Sequence, residues 1–323
     1  MKNPFVTNGY VSPEYFCDRE KETAKIVSLL TNENNIALIS PRRLGKTDLL
    51  RHCFGQPEIK EHYHTFIIDI YATSSVRDFV NVFGKAVLDE LRPKGKSVWG
   101  TFLNVLASLR SEITFDMNGQ PTWGIGLGAI TNPSATLDEI FSYLNNAGKP
   151  CLIAIDEFQQ ITKYADDPNI EAALRTHIQR CSNAHFVFSG SHRHLMGAMF
   201  TSPARPFYQS VTLINLPPIS VDKYAEFCLK HFERVSKHLD TLVVTELYER
   251  FNGITSYMQK VMNILFSMTG TGEICIPSMI DTAINDLLDF SADTYDALLY
   301  QMPEKQRIVF MAIAAEGKAK AIS

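Results

Sequence analysis

The chain of 323 residues has no Cys-x-x-Cys pair, and its six cysteines (17, 53, 151, 181, 228 and 275) are scattered along the length. That spacing excludes the dense disulfide frame of a small secreted domain and reads as reduced thiols in a cytoplasmic protein. The N-terminal stretch MKNPFVTNGY lacks the apolar core of a signal peptide, and no run approaches the length of a membrane span, so no membrane partner is expected. An excess of basic residues is missing too. With 31 Lys and Arg against 35 Asp and Glu, the net charge is −4, and the chain as a whole is not built to wrap nucleic acid. Internal repeats and low-complexity segments are absent. What remains is 45% apolar and 20% charged, enough for a sizeable core in two domains or one large one, at about 150 residues per domain.

Residues 36–50, IALISPRRLGKTDLL, organise the rest. An apolar run at 36–39 reads as a short buried strand. It passes through Ser40, Pro41, Arg42, Arg43, Leu44 and Gly45 and enters a helix at Lys46, Thr47 and Asp48. This is the G-x-x-x-x-G-K-[ST] layout of a Walker A loop, with Ser40 in place of the first glycine. Backbone N–H groups in such a loop, together with the helix N-terminus, make a socket for phosphate oxygens. Residues 40–48 are the candidate nucleotide contacts: Lys46 can reach the β- and γ-phosphates and the Thr47 hydroxyl can ligate Mg²⁺.

A second apolar strand, Cys151-Leu152-Ile153-Ala154-Ile155, ends in Asp156-Glu157, the Walker B pattern. Asp156 would hold the magnesium shell and Glu157 would orient and polarise the attacking water. Standing alone, an acidic pair could equally cap the next helix; downstream of a P-loop the two motifs support each other, because both must emerge at the carboxyl end of one parallel sheet. Ser189 and Ser191, at the end of a strand inserted between the motifs, are either sensors of the γ-phosphate and lytic water or members of a Ser/Gly turn capping a helix. Arg205, in the loop 202–208, could act as a finger in a neighbour's site or be a solvated loop arginine.

Strands are expected at 35–40, 64–70, 150–156, 185–190 and 211–216, with helices between them, giving a three-layer α/β sandwich around a parallel five-stranded sheet over residues 1–217. A helix is expected at 99–109, and Asn118-Gly119 signals a β-hairpin inserted at about 111–128. No strand pattern is seen from 220 to 293, so residues 218–295 read as a separate helical domain, and 303–315 as one further helix with Pro303 near its start.

Other chemistries find no support. Gly124, Gly126 and Gly128 do not spell a dinucleotide loop, no Ser-His-Asp arrangement can be defended, and the His-x-His pairs at 62/64 and 192/194 lack a third ligand, so no metal beyond magnesium is expected. The guanine-reading N-K-x-D is absent, which favours ATP.

Taken together, PRRLGKT, the IDEFQ of 155–159, the Ser-Gly-Ser-x₄-Met of 189–196, the Pro-Phe-Tyr of 206–208 and the lead-in Phe16-Cys17-Asp18-Arg19-Glu20 resemble the archaeal-type ATPases of the STAND/AAA+ division of P-loop NTPases. The resemblance covers roughly residues 4–290. It implies an AAA+-like ATPase core with a helical lid, followed by a winged-helix domain of which 296–323 would be the first helix. It also implies hydrolysis of ATP to ADP and phosphate as a conformational or assembly switch. The same likeness makes Lys46 and Thr47 the phosphate and magnesium contacts, Asp156 and Glu157 the Walker B pair, and Ser191 the sensor. Two departures stand out: Gln209-Ser210 replace an expected Gly-Arg, and Gly253-Ile254-Thr255 lacks the proline of the lid signature. Competing readings are a regulatory ATP-binding module with negligible turnover and a DNA-associated ATPase working through a C-terminal domain beyond residue 323. A homo-oligomer, DNA or a protein are the expected partner classes besides the nucleotide.

Overall fold

The computed structural model describes residues 3–91, 113–115, 121–123 and 133–316. The chain divides into two units, Asn8–Ile219 and a second made of Met1–Thr7 with Ser220–Ser323. The first unit runs α1 (Glu20–Thr31), β1 (Ile36–Ile39), α2 (Lys46–Phe54), α3 (Pro57–His62), β2 (His64–Asp69) and α4 (Val76–Glu90). There follow β3 (Ile113–Phe115), β4 (Pro121–Trp123), α5 (Pro133–Asn145), β5 (Cys151–Asp156) and a 3₁₀ turn at Phe158–Lys163. It closes with α6 (Ile170–Arg180), β6 (Ala184–Gly190), α7 (Arg193–Thr201) and β7 (Thr212–Asn215).

Five of these strands form one parallel sheet in the order β2-β5-β6-β1-β7. The central strands β5, β6 and β1 are buried along their whole length, as a parallel sheet covered on both faces requires, while the edge strands β2 and β7 are only partly buried. The two faces are legible residue by residue. Ala37, Ile39, Ile153, Ile155, Phe186 and Phe188 join the core under α4, α5 and α6, while Ile36, Leu38, Leu152, Ala154 and Val187 join the core under α1 and α2. Helix starts follow local chemistry: the Ser75 side chain accepts the Asp78 N–H at the head of α4.

The hairpin strands β3 and β4 pair antiparallel, Thr114 facing Thr122. The helix expected at 99–109 and the Asn118-Gly119 turn lie outside the described residues.

The second unit runs α8 (Val221–Glu233), β8 (His238–Leu239), α9 (Thr241–Phe251), α10 (Thr255–Met268), β9 (Ile274–Cys275), α11 (Ile280–Asp289), α12 (Ala292–Gln301) and α13 (Glu304–Glu316). The expectation of no strand here is corrected: β8 and β9 pair in parallel, His238 with Ile274 and Leu239 with Cys275. Two residues are too few to show a period of two, so the sequence could not announce them. A further difference concerns the start of the chain, which the sequence places with the sheet. Phe5 is fully buried in the helical unit, its ring 6.0 Å from Phe227, 5.9 Å from Phe232 and 5.7 Å from Phe266. Asn3 Nδ2 donates to the Asn263 carbonyl at 2.8 Å, and Asn263 Nδ2 returns a bond to the Phe5 carbonyl at 2.7 Å. No described helix is long and apolar enough to cross a membrane.

Candidate active site

Sheet order brings the two motifs to one rim. β1 delivers residues 40–47, β5 delivers Asp156 and Glu157, and β6 lies between them, so its carboxyl end, Ser189-Gly190-Ser191, enters the same crevice. The loop itself is conditioned by two left-handed residues, Arg43 at φ 68° and Gly45 at φ 82°. No atom lies within 4 Å of where a Gly45 side chain would begin, so backbone conformation and not space is what selects glycine there. Ser40 keeps a negative φ, which removes any need for the glycine usual at that position; it is fully buried and its hydroxyl donates to the Pro41 carbonyl at 2.9 Å.

Thr47 and Asp156, 109 positions apart in the chain, meet: the Thr47 hydroxyl donates to Asp156 Oδ2 at 2.5 Å. Lys46 opens α2 and is only 7% exposed, its ammonium donating to the carbonyls of Ser40 at 3.3 Å and Pro41 at 3.5 Å. Burial pulls the Lys46 pKa down, Asp156 and Glu157 push it back up, and the neighbouring Arg42 cation lowers it further. Asp156, 7% exposed, also accepts the Glu157 N–H at 3.0 Å through Oδ1. Glu157 sits in the left-handed region at φ 55°. Its Oε2 accepts two bonds, from Ser191 Oγ at 2.8 Å and from Gln159 Nε2 at 2.5 Å. Arg42 Nε reaches Ser191 Oγ at 3.4 Å, and its guanidinium lies 5.5 Å from the centre of the exposed Tyr71 ring.

A buried ammonium beside a hydroxyl, two carboxylates and helix-terminal N–H groups is a socket for a metal-bound polyphosphate. The family model of an ATPase domain found predominantly in Archaea matches residues 16–261. The chain belongs to this ATPase family. As a member, it is an ATP-hydrolysing enzyme, and its fold is P-loop and AAA+-like. Its fold is similar to that of a Walker-type ATPase of Pyrococcus abyssi (17% identity, TM-score 0.61, covering 92% of this chain and 79% of that one). It is also similar to the Orc2 protein of Aeropyrum pernix in ADPNP–ADP complexes (14% identity, TM-score 0.58, 88% and 71% covered). A third likeness is to the Aeropyrum pernix Orc1 protein in complex with DNA (13% identity, TM-score 0.55, 95% and 74% covered). Comparison with curated proteins finds no match.

Not every residue singled out in the sequence converges on this ATPase's Lys46–Asp156 rim. The Asp48 carboxylate accepts the Tyr10 N–H, and burial raises its pKa. Ser189 is fully buried, its hydroxyl without a hydrogen-bond partner among the described residues, so of the two serines it is Ser191 that touches Glu157. The Arg205 guanidinium is bonded to Glu171, which is 7% exposed. Arg43 and Leu44 complete the loop, Arg43 exposed and Leu44 buried. Gln159 and Gly190 stand out in the sequence only as parts of motifs. The signal for Gln159 is its place two residues after a Walker B glutamate, between the apolar Phe158 and Ile161.

The donor chemistry suits magnesium: Thr47 Oγ1 and Asp156 Oδ2 are hard oxygens brought together at the rim by their hydrogen bond. Among the described residues no cluster of three or more His, Cys, Asp or Glu could hold a metal by itself.

Proposed function

We propose that this ATPase performs magnesium-dependent hydrolysis of ATP at the Lys46–Asp156 rim and uses the cycle as a conformational or assembly switch. The observation that carries the reading is the Thr47–Asp156 bond, because it brings both halves of a magnesium shell together from opposite ends of the motif set. Lys46 binds the β- and γ-phosphates; its partial desolvation strengthens that attraction, since no bulk water competes for the charge. Thr47 and Asp156 would hold the ion, which when bound neutralises phosphate charge during transfer. Glu157 accepts a hydrogen bond from the attacking water, and Ser191 links that carboxylate to Arg42 at the phosphate side. The nucleotides bound by the Orc2 neighbour support the same occupant here.

The engagement of Arg205 with Glu171 supports slow turnover in the isolated chain, with acceleration on assembly, when a finger arginine would be wanted in trans. DNA as partner rests on the Orc1 neighbour alone. The net charge of −4 adds nothing to that case.

The test is ATP binding by Lys46→Ala. Titration with ATP and magnesium is expected to show at least about a 100-fold loss of affinity, the value of one desolvated charge-assisted phosphate contact. Affinity within twofold of the wild type would count against the P-loop assignment.

A further inference from the structure

Gln159 is a buried polar residue that the motif reading leaves without a role. It is 3% exposed and sits on the 3₁₀ turn Phe158–Lys163 that follows β5. The turn is anchored at several points. Phe158 is fully buried, 4.4 Å from the Phe188 ring and 5.4 Å from Phe207. Gln160 Nε2 donates to the Thr73 carbonyl at 2.9 Å, the Gln160 N–H to the Glu157 carbonyl at 2.8 Å, and Thr162 Oγ1 to the Gln159 carbonyl at 2.8 Å. The Gln159 side chain therefore has little freedom of its own.

Its amide is used on one side only. Nε2 donates to Glu157 Oε2 at 2.5 Å, whereas Oε1 is buried with no hydrogen-bond partner among the described residues. A glutamine in a core is disfavoured when half its amide is unpaired, a cost that Leu or Met of similar volume would not carry. The reverse amide orientation would set oxygen against carboxylate, so only this one places a donor on Glu157. Gly190 makes room for it: a side chain at Gly190 would run into Gln159 Oε1 and into Met196. The same Gly190 precedes Ser191, the second donor to Oε2. Two donors, one following β5 and one following β6, thus fix one carboxylate oxygen, and among the described residues Oε1 of Glu157 takes no hydrogen bond.

We infer that Gln159 is a positioning residue for Glu157: its amide, seated through Gly190 against the end of β6, holds the carboxylate in one rotamer together with Ser191, so that the water-polarising oxygen keeps a fixed place. The inference rests on Glu157 being the water-polarising group. Holding such a group within a fraction of an ångström is where most of its rate contribution lies.

The experiment is a double-mutant cycle on the full chain, with wild type, Glu157→Gln, Gln159→Met and the double variant. Steady-state and single-turnover phosphate release, ATP affinity and melting temperature are measured for each. Gln159→Met keeps the volume and removes the donor. It is expected to lower kcat at least tenfold, with KM and ATP affinity within about twofold of wild type and melting within a few degrees. In the Glu157→Gln background the same change should add no further loss, because the group it positions is gone. Wild-type kcat in Gln159→Met beside a slow Glu157→Gln would overturn the inference and leave the reading of Glu157 standing. An equal fold-loss in both backgrounds would also overturn it, marking Gln159 as structural. A Glu157→Gln protein as fast as wild type would remove the premise and the inference with it. Should Gln159→Met not fold, Gln159→Asn keeps an amide one methylene too short to reach Oε2, and the same cycle with that variant separates the same outcomes.

Discussion

Arg205 and Glu171 show how a residue legible in the sequence can acquire a different immediate partner in the fold. Glu171 is buried in α6, and burial raises its pKa while Arg205 lowers it. A carboxyl whose native pKa is raised contributes stability at low pH that is lost as pH rises through the native value. Arg205 offsets that loss. Arg205→Ala should therefore destabilise the first unit by about 2 kcal/mol near neutral pH, intermediate between exposed and buried pairs because Arg205 is 34% exposed. The deficit should shrink as pH falls and Glu171 protonates in both proteins. Thermal melts of the two proteins across pH measure this, and a deficit that grows in acid would contradict it. The sequence offers Arg205 as a loop arginine beside strand β7, but nothing in the spacing of 171 and 205 announces their contact. Lys46, Thr47, Asp156 and Glu157 are different: they belong to short local patterns, so roles can be proposed for them before their neighbours are known.

At the scale of elements, the strands of the sheet are legible because a parallel sheet covered on both faces writes itself as short continuous apolar runs. Ends are less so, since β6 begins at Ala184 and β7 ends at Asn215, each within a residue or so of the apolar boundary. What escapes the sequence is small or non-local: the six-residue helix α3, the two-residue pair β8–β9, and the capture of Phe5 by Phe227, Phe232 and Phe266. The end of β6 is the element on which the site geometry turns. Gly190 has Gln159 on one side and Met196 on the other with no room for a methyl group. Gly190→Ala should cost about 2 kcal/mol of stability through overpacking and lower turnover more than ATP affinity. Denaturant unfolding and phosphate release read the two effects, and a stable, fully active variant would show that the contact yields freely.

For the molecule as a whole, the proposed phosphate site depends on strand order. With β6 between β1 and β5, the loop at 40–47, the carboxylates at 156 and 157 and the hydroxyl at 191 open on one rim. The family match over residues 16–261 takes in both motifs, and the fold as a whole is similar to Walker-type and Orc structures. What the cycle drives is not legible in the sequence, because output is decided by surfaces and partners rather than by the phosphate site. The decisive measurement is phosphate release at saturating ATP and magnesium, wild type against Glu157→Gln. A water-polarising Glu157 requires at least about a 100-fold fall in rate with ATP affinity kept within twofold; equal rates would contradict it.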